Sequence, residues 1–554
     1  MKKITQLISG VLLLLLVNVV AHYFYHRFDL TEDKRFTLSS AAERTVEAFE
    51  SPVIIDILLD GKLPSEFAVL QKETVLLLEQ FRAKNKRIVY NLVNPLEEAS
   101  TREQTIVDLQ QLGLKAASVT VEDDGKTTQE LLFPWAMVNY QNKTFKVPLL
   151  KNKLGASAEE RINNSVQNLE YAFTDAFKKL QLTKKKKIAV LKGNGQLEDA
   201  YLADFLTSIK DYYNIGAMTI DSTENNPSEV LEQLSGFDMV LMAKPTDAFS
   251  ENEKYVLDHY IVQGGNSLWL MDQVAIELDS LFNETGSNVA TRRDLNLDDF
   301  FFRYGVRINP VLVNDLYNSP IVLANGEANE SQYNPLPWVY NPMVFTKDNH
   351  PINTNIEALR LQFSNAIDTL ENTNKKTVLL RSSPLSKLEG TPKRIGFDIL
   401  NSSVDKKAYP PVTGYPLSVL IEGRFSSAYS NRIKPIDLPN EIEEGNANKM
   451  IVVADGDIIK NQLQKGRPLE LGYDKWTNSF YGNKEFLVNC VNYLLDDNGF
   501  INIRSKTVRI PLLDAKKIVA NKSLWQGLTI GLPVVLVILI GIVLRYLRKR
   551  KFAV

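Results

Sequence analysis

The stretch "KIAVLKGNGQLED", residues 187–199, contains an apolar strand pattern, a glycine turn and the approach to a helix. Strand and helix patterns then alternate as far as residue 272. The later segments are the helices "YLADFLTSIKDYY", "PSEVLEQL" and "SENEKYVLDHYIVQGG" and the strands "AMTID", "FDMVLMAKP" and "NSLWLMD". Alternation with crossovers of this length predicts a doubly wound parallel sheet.

The domain that contains this sheet extends further along the chain. Polar and proline-rich stretches weaken the pattern after residue 280, and strand patterns return in "TVLLRSS", "YPLSVLIEG" and "NKMIVVADGD". We therefore predict one α/β domain over residues 185–520, with an insertion at about 280–440. Its sheet resembles those of flavodoxin-like and class-I amidotransferase-like proteins.

A smaller α/β unit is predicted over residues 45–150. The strand patterns "PVIIDILLD" and "RIVYNLVNP" lie on either side of an amphipathic helix, and a second helix and further strands follow. This order is thioredoxin-like in outline, but the chain has no C-x-x-C pair, which excludes redox chemistry of that type. A long amphipathic helix, with Ser157 placed as its N-cap, links the two units over residues 151–184.

Two apolar stretches flank these units. Residues 4–25 and 523–544 contain no Asp, Glu, Lys or Arg, and each is long enough to cross a bilayer as a helix. We predict transmembrane helices over residues 1–26 and 523–545. A signal peptide cut after Ala21 is the alternative for the first one.

The charges at the two ends predict an orientation. Lys2 and Lys3 precede the first stretch, and a basic tail over residues 546–554 follows the second. Positive residues remain in the cytoplasm, so both termini are expected there. The body between the two helices then lies in the periplasm of a bacterium with an inner membrane.

Two features near the membrane are candidates for contacts. Residues 27–44, "RFDLTEDKRFTLSSAAER", form a junction that is expected to orient the first unit against the bilayer or a membrane partner, with Thr37, Ser39 and Ser40 as candidate helix caps. Gly527 and Gly531 lie four residues apart and are expected to pack against another membrane helix. The alternative is that glycine is simply common in membrane helices.

Composition excludes several functions. The net charge is −2, and setting aside the seven terminal cations leaves the rest of the chain at −9, which argues against nucleic acid as a partner. Those cations are Lys2, Lys3, Arg545, Arg548, Lys549, Arg550 and Lys551. The single cysteine, Cys490, cannot form an internal disulfide.

Ligand binding is predicted at two strand ends. Gly193, Asn194 and Gly195 follow a strand, but Glu198 stands where a dinucleotide fingerprint needs its third glycine, so a tight turn is the alternative. Asp455 and Asp457 follow another strand, at the edge of an α/β sheet where ligands bind. A turn with a capping aspartate is the alternative for this pair.

No catalytic residue, metal or cofactor is predicted. Between the apolar stretches the only histidines are His26, His259 and His350, and no G-x-S-x-G, H-E-x-x-H or P-loop sequence accompanies them. A glycosidase that uses only carboxylates stays open, because the chain has 66 acidic residues.

Seven segments together resemble one family, in its order and along nearly the whole chain. They are "FDLTEDKRFTLS", "AEERINNSVQNLEYAFTDAFKKL", "IAVLKGNGQLED", "MIVVADGDI", "LGYD", "YGNKEFLVNCVNYLLDD" and "IRSK". The chain resembles the gliding-motility-associated ABC transporter auxiliary, substrate-binding-like component of Bacteroidetes, the GldG type.

The resemblance implies a non-enzymatic inner-membrane subunit that works beside a separate permease and a separate cytoplasmic ATPase. Membrane lipid and an unknown small-molecule or envelope ligand are further expected partners. Two other functions remain open at this stage. One is a membrane-anchored periplasmic carbohydrate-active hydrolase, and the other is a structural linker in the cell envelope.

Overall fold

The computed structural model describes Gly10, Asp29, Thr31, residues 34–505 with short gaps, and residues 521–552. The gaps are residues 99, 124–125, 152–156, 183–184, 225, 326–331, 347–349, 402–404, 440–441 and 497–498. The chain divides into two compact units, Met1–Val508 and Arg509–Val554. The predicted N-terminal membrane helix lies outside the described residues apart from Gly10, and the finer domain bounds stay predictions.

A four-stranded mixed sheet forms the first part of the larger unit. Val53–Ile57 pairs in parallel with Ile88–Leu92 and antiparallel with Trp135–Tyr140, which pairs in turn with Lys143–Pro148. Alternate side chains of Val53–Ile57 are buried, as expected for a strand with one face on a core. The accompanying helices are Ser40–Glu47, Ser65–Lys84 and Arg102–Gln111.

The stretch "TQELLFPWAMVNY" is divided between two sheets. Lys126–Leu132 pairs with Ala117–Asp123 in a separate hairpin, whereas Trp135–Tyr140 belongs to the four-stranded sheet. Pro134 lies between the two strands. Because proline has no N–H to donate to a ladder, the strand pattern breaks there.

The linking helix is Ala158–Gln181. Ser157 Oγ accepts a hydrogen bond from Glu160 N, and Ser157 N donates one to the Glu160 carboxylate, so the predicted cap is confirmed as a capping box. Phe177 is buried and meets Phe49 edge-on at 5.5 Å between ring centroids. The helix thereby packs its apolar stripe into the core of the first part.

The described part of the junction is an ordered turn. The Asp29 carboxylate accepts hydrogen bonds from Thr31 N at 3.0 Å and from Thr37 Oγ1 at 2.9 Å. Burial acts to raise the pKa of Asp29, but hydrogen bonds such as these outweigh it and lower the pKa to about 2. Ser39 Oγ accepts from Ala42 N, which confirms Ser39 among the three candidate caps.

The main sheet has seven strands. In spatial order they are Lys375–Arg381, Pro416–Ser426, Glu444–Val453, Asn266–Leu270, Met239–Ala243, Lys187–Lys192 and Asn214–Thr219. The last five run parallel and the first two pair antiparallel. The predicted parallel sheet is therefore present. The patterns "TVLLRSS" and "YPLSVLIEG" supply the first two strands, and of these Pro416–Ser426 runs opposite to the rest of the sheet.

Helices cover both faces of this sheet. Asp199–Ile209 and Asn483–Leu495 pack on one face, and Pro227–Ser235, Glu251–Val262 and Asp298–Tyr304 pack on the other. All five residues of the central strand "MVLMA" are buried, because a strand covered on both faces exposes neither set of its side chains.

Short antiparallel pairs lie between residues 274 and 396. The strands are Val274–Ala275, Ser287–Arg292, Val306–Asn309, Val311–Asp315, Asn318–Asn325, Gln332–Val344, Leu359–Arg360, Ala366–Thr369, Ser386–Gly390 and Lys393–Gly396. Trp338 and Tyr340 are buried in a separate small core there.

The proline-rich stretch within this region forms a long hairpin rather than irregular chain. Asn318–Asn325 pairs with Gln332–Val344, and Pro320 lies opposite Pro337. A pair of prolines has no N–H to exchange, so this is a non-hydrogen-bonded position of the ladder. Pro335 lies two residues before Pro337 and therefore also occupies a non-hydrogen-bonded position, so the strand tolerates both prolines.

Two small hairpins precede the last helix of the larger unit. Leu463–Gln464 pairs with Arg467–Pro468, and Tyr473–Asp474 pairs with Ser479–Phe480. They lie beyond the end of the sheet strand Glu444–Val453, where they form part of a cleft.

The smaller unit contains an apolar helix. Residues Lys522–Lys551 are helical with a π-helical turn at Gly527–Gly531, and this segment of 30 residues is long and apolar enough to cross a membrane. Within the described residues it is the one helix that meets this test. A Cβ atom added at Gly527 or Gly531 would meet nothing within 4 Å, so the packing partner predicted for them stays a prediction.

Candidate functional site

Four parallel strands of the main sheet end at one edge. Gly193 follows the strand Lys187–Lys192, and Lys244 follows Met239–Ala243. Asp272 and Asp455 each lie two residues beyond the end of a strand. The carboxyl edge of a mostly parallel α/β sheet is where ligands commonly bind, so these residues mark the candidate site.

Lys244 is the centre of a buried ion cluster, the Lys244 cluster. Its side chain is 3% exposed, and its Nζ lies 2.7 Å from Asp457 Oδ2, 2.8 Å from Glu277 Oε2 and 3.5 Å from Asp272 Oδ2. Burial acts to lower the pKa of Lys244, but the three carboxylates outweigh it and raise the pKa above its usual value. Lys244 is therefore a permanent cation among three acids.

The backbone at Lys244 is adapted to this position. Its φ of +55° lies in the left-handed region, which costs free energy for a residue with a side chain. A Cβ atom added at Gly456 would lie 2.5 Å from Lys244 Cγ, so glycine leaves the room that the lysine stem occupies. The fold thus holds the ammonium group against its carboxylate partners.

Two carboxyl groups of this edge bind protons more tightly than usual. Burial raises the pKa of Asp272 to about 6, although Lys244 acts against it. Burial and the charges of Asp272 and Asp457 raise the pKa of Asp455 well above its usual value. The edge therefore contains more carboxyl groups than Lys244 alone can balance.

Asp455 and Asp457 have different surroundings. Asp455 is fully buried, and its carboxylate accepts hydrogen bonds from the backbone N–H groups of Gln362, Asp457 and Ile458 at 2.6, 2.8 and 3.0 Å. This is the geometry of a turn with a capping aspartate. Asp457 instead lines a cleft.

The glycine turn is closely packed by acidic and hydroxyl groups. Gly193 has a φ of +116°, and a Cβ atom there would lie 1.9 Å from Asp221 Oδ1. A Cβ atom at Gly195 would lie 2.0 Å from Thr246 Oγ1. Asn194 O accepts hydrogen bonds from Thr246 N and Asp247 N. The Asp221 carboxylate would repel a phosphate at this turn.

Glu198 is the N-terminal boundary residue of the helix Asp199–Ile209, and its side chain makes no capping hydrogen bond. Tyr201, in the first turn of that helix, lines the same cleft as Asp457. The two groups of predicted ligand residues therefore lie at one sheet edge, but only Asp457 of the six lines the cleft. Ligand binding by Gly193, Asn194, Gly195, Glu198 and Asp455 stays a prediction.

The cleft has a volume of about 530 Å³. Its walls come from residues 277–282, from the hairpin Asn318–Asn325 with Gln332–Val344, and from the loops after residue 457. A volume in the range of about 300–1,000 Å³ suits a small-molecule ligand.

The charged groups in the cleft are balanced. Four carboxylates line it, namely Glu277, Asp279, Asp457 and Asp474, and three cations line it, namely Arg360, Lys460 and Lys475. Arg360 is paired with the buried Asp474 at 3.4 Å. Asp457 is paired with Lys244, which does not itself line the cleft, at 2.7 Å. The cleft therefore has little net charge.

Asp457 has one unused acceptor. Its Oδ1 is buried and has no hydrogen-bond partner among the described residues. The Lys460 ammonium group is 3.7 Å from this oxygen, which is longer than a hydrogen bond. A buried oxygen without a donor costs free energy that a donor on a ligand would recover.

Aromatic side chains form the rim of the cleft. Tyr333 and Trp476 stack with ring centroids 5.9 Å apart and an interplanar angle of 24°, and they are 61% and 57% exposed. More aromatic residues line the cleft, namely Tyr201, Phe282, Tyr473 and Tyr481. Two exposed rings held together at a cleft mouth provide apolar surface for a ligand.

Lys244, Asp272 and Glu277 were not predicted as site residues from the sequence. A signal was present, since Lys244 and Asp272 each lie at the end of a predicted strand, as Asp455 does. Strand ends in a parallel sheet meet at one edge, so the three positions were predictable neighbours. The pairing of Tyr333 with Trp476 had no such signal.

Groups that commonly serve catalysis are dispersed in the described residues. Cys490 is buried, and burial raises the pKa of its thiol well above the usual value. Burial lowers the pKa of His350 to about 4, and His259 is buried in the helix Glu251–Val262. The described residues contain no group of three or more His, Cys, Asp or Glu side chains placed to hold a metal ion.

Together these features define an α/β protein with a mostly parallel sheet, a cleft at its carboxyl edge and a separate apolar helix. Residues 185–490 match the sequence model of the family described as an ABC-type uncharacterized transport system. The match covers more than half of the chain, so the chain belongs to this family and is an auxiliary protein of an ABC transport system.

Other comparisons give no further information about the function of the chain. Residues 32–139 match a domain of unknown function (DUF7088). No curated protein matches the chain. Matching solved structures include the mmIFT52 N-terminal domain, which is 13% identical, covers 56% of this chain and 99% of its own, and has a TM-score of 0.33.

Proposed function

We propose that this chain is the periplasmic auxiliary subunit of an ABC transport system of the gliding-motility (GldG) type in Bacteroidetes, and that it is not an enzyme. The observation that carries the proposal is a family domain of transport systems in the same chain as a helix able to cross a membrane. The chain contains no P-loop sequence, so ATP hydrolysis falls to a separate ATPase.

The charge pattern supports an inner-membrane location with the body in the periplasm. Arg545, Arg548 and the run Lys549–Lys551 lie at the end of the apolar helix, and positive residues favour the cytoplasmic side. The body precedes the helix, so it lies on the other side of the membrane. The N-terminal apolar stretch is the second anchor in this proposal.

The strand orders support the finer fold predictions. Counted along the chain, the five parallel strands of the main sheet have the spatial order 2-1-3-4-5, which is the flavodoxin-like order. The first sheet has the order 2-1-3-4, with its first two strands parallel, and this supports the thioredoxin-like comparison.

Affinity purification of the tagged full chain from native membranes tests the proposal. We expect a permease and an ATPase to be recovered with it. Recovery of neither would contradict the proposal. Replacing both Gly527 and Gly531 by Leu is expected to reduce permease recovery at least several-fold, because the larger side chains prevent close helix packing. Gly541→Leu on the same helix is the matched control, since a Cβ atom there also meets nothing within 4 Å.

A carbohydrate-active hydrolase is the second candidate, because carboxylates line the cleft. Asp457→Asn separates the two functions. A hydrolase that depends on this carboxylate loses turnover, whereas an auxiliary subunit still recovers its permease and ATPase. Release of reducing sugar by the wild-type chain and not by the variant would favour the hydrolase.

A further inference from the structure

The cleft at the carboxyl edge has the chemistry of a site for an uncharged, hydroxyl-rich ligand. Its charges are balanced, since Arg360 is paired with Asp474 and Lys244 supports Asp457. A phosphate ligand would meet the carboxylates of Glu277, Asp279 and Asp457, and a free cation would meet Lys460 and Lys475. A neutral ligand avoids both of these repulsions between like charges.

The rim supplies the second property of such a site. Tyr333 and Trp476 are more than half exposed, yet their stacking holds them in place. The Lys475 ammonium group lies 5.0 Å from the Trp476 ring centroid and donates a hydrogen bond to Leu463 O, which further fixes the rim. Fixed aromatic rings pack against the C–H faces of sugar rings, which are apolar although the ring edges carry hydroxyl groups.

The interior supplies hydrogen-bonding groups for those hydroxyl groups. The buried Asp457 Oδ1 has no hydrogen-bond partner among the described residues, and a sugar hydroxyl is a donor of the right kind. Glu277 is about one-third exposed and also accepts hydrogen bonds. Arg360, whose side chain is 18% exposed, supplies N–H donors at the same wall.

We propose that this cleft binds a neutral oligosaccharide, with a sugar ring packed on Tyr333 and Trp476 and hydroxyl groups bonded to Asp457 and its neighbours. The inference goes beyond the proposed assembly, since it names the chemical class of the ligand. It concerns the isolated chain and does not depend on the permease or the ATPase.

Isothermal titration calorimetry on the purified full chain tests this inference. The detergent must have no sugar headgroup, because a maltoside would compete for the site. The probes are maltohexaose, which presents plain hexoses, and chitotetraose, which presents N-acetylated ones, so the two arms distinguish the glycan type. We expect at least one probe to bind saturably. Affinity should be nearly unchanged between about 50 mM and about 500 mM NaCl, because salt screens charged contacts and not stacking.

Two rim variants locate the binding. Tyr333→Ala and Trp476→Ala are each expected to weaken binding at least tenfold. Phe302→Ala is the matched control, because Phe302 is 60% exposed in the helix Asp298–Tyr304 and is not part of the cleft. The control should change affinity less than twofold. All three replaced side chains are exposed, so unchanged melting temperatures should accompany these effects.

Three results would overturn the inference. They are no heat of binding with either probe at millimolar concentration, equal affinity in the rim variants and the wild type, and an affinity that collapses as salt is added. The proposed function fails separately, through the pull-down. The rim variants leave the membrane helix unchanged, so we expect both of them to recover the permease and the ATPase as the wild type does.

Discussion

Two ion clusters of the larger unit have opposite compositions. The Lys244 cluster places one cation among three carboxylates at the edge of the main sheet. A second group, the Glu485 cluster, places one carboxylate between Lys151 and Arg504, with Lys151 Nζ 2.7 Å from Glu485 Oε1. The first lies beside an open cleft, and the second joins separate parts of the fold.

The pKa values reflect this difference. Burial lowers the pKa of Lys151 to about 8, and the neighbouring Arg504 acts in the same direction. Burial acts to raise the pKa of Glu485, but the two cations outweigh it and lower the pKa. In each cluster the central ion is therefore held charged by its neighbours, and burial disfavours the charged form of one outer ion, Asp272 in the first cluster and Lys151 in the second.

The two clusters also differ in their role: one connects parts of the fold, and the other lines the cleft. Arg504 donates a hydrogen bond to Thr354 O and lies 4.7 Å from the Tyr171 ring centroid, so the Glu485 cluster connects the linking helix with the insertion and the last helix of the unit. Lys151 donates a hydrogen bond to Asn355 O, so both cations of this cluster also bond backbone carbonyl oxygens. The Lys244 cluster leaves Asp457 and Glu277 in the cleft wall, where a ligand can reach the site.

The largest expected effect is that of Lys244→Met. Removing the central cation takes the nearest positive charge from Asp272, Asp457 and Glu277 and leaves only Lys460, 3.7 Å from Asp457, and Arg293, 3.8 Å from Glu277. We expect a loss of about 3–5 kcal/mol in the free energy of unfolding. Urea unfolding of the full chain, followed by tryptophan fluorescence, measures it. A loss under about 1 kcal/mol would show that Lys244 is not the centre of its cluster.

Glu485→Gln tests the second cluster in the same way. Lys151 and Arg504 then lose the carboxylate that lies between them, and we expect a loss of about 3 kcal/mol. Lys151→Met is the matched control, because Glu485 keeps Arg504 as its partner, and it should cost clearly less. Equal losses in the two variants would contradict the central role assigned to Glu485. The same urea titration gives both values.

The third prediction concerns pH. The pKa of Asp272 is about 6 in the folded chain, above its value near 3.8 in the unfolded chain, so the folded state binds the proton more tightly. The cost of burying this ionised carboxylate is present above pH 6 and is lost as the pH falls from about 6 towards 4. Between pH 7 and pH 5 the wild type should gain about 1 kcal/mol relative to Asp272→Asn.

This prediction is checked by unfolding both proteins at the two pH values. Taking the difference between them removes the titration of groups that do not interact with Asp272. A wild type that loses stability relative to Asp272→Asn on acidification would have the opposite sign and would exclude a raised pKa.

The smallest expected effect is that of Lys375→Ala. Lys375 lies 3.5 Å from Glu422, but its side chain is 75% exposed. Solvent screens an exposed pair, so the change in the free energy of unfolding should stay below about 1 kcal/mol. A loss as large as that of Lys244→Met, measured in the same urea titration, would remove the distinction between buried and exposed pairs.

The sequence predicted the main sheet because its signal is local. Runs such as "MVLMA" are apolar at every position, and a strand buried on both faces needs this pattern. The N-cap of the linking helix at Ser157 was predicted for the same reason, because its signal also lies within a few neighbouring residues. The hairpin that contains Pro320 and Pro337 was not predicted, because its prolines are tolerated only in one particular register.

The candidate site was predicted in part for the same reason. Asp457 was identified from its place at a strand end. Lys244 was missed, because its place at a strand end indicates its neighbours at the sheet edge but not that it is buried. Its burial depends on Asp272 and Glu277, which follow a different strand. The contact between Tyr333 and Trp476 depends on how two distant loops meet, and no local pattern records that.

The strand Asn266–Leu270 has a consequence for how the chain folds. It pairs in parallel with Met239–Ala243 on one side and with Glu444–Val453 on the other, and the latter comes late in the chain. Until residue 453 has been synthesised, one edge of an apolar, half-built sheet stays unpaired. Such an edge invites pairing with another chain. Sheet completion is therefore a slow, long-range step, and a nascent chain of this kind has particular need of protection against aggregation.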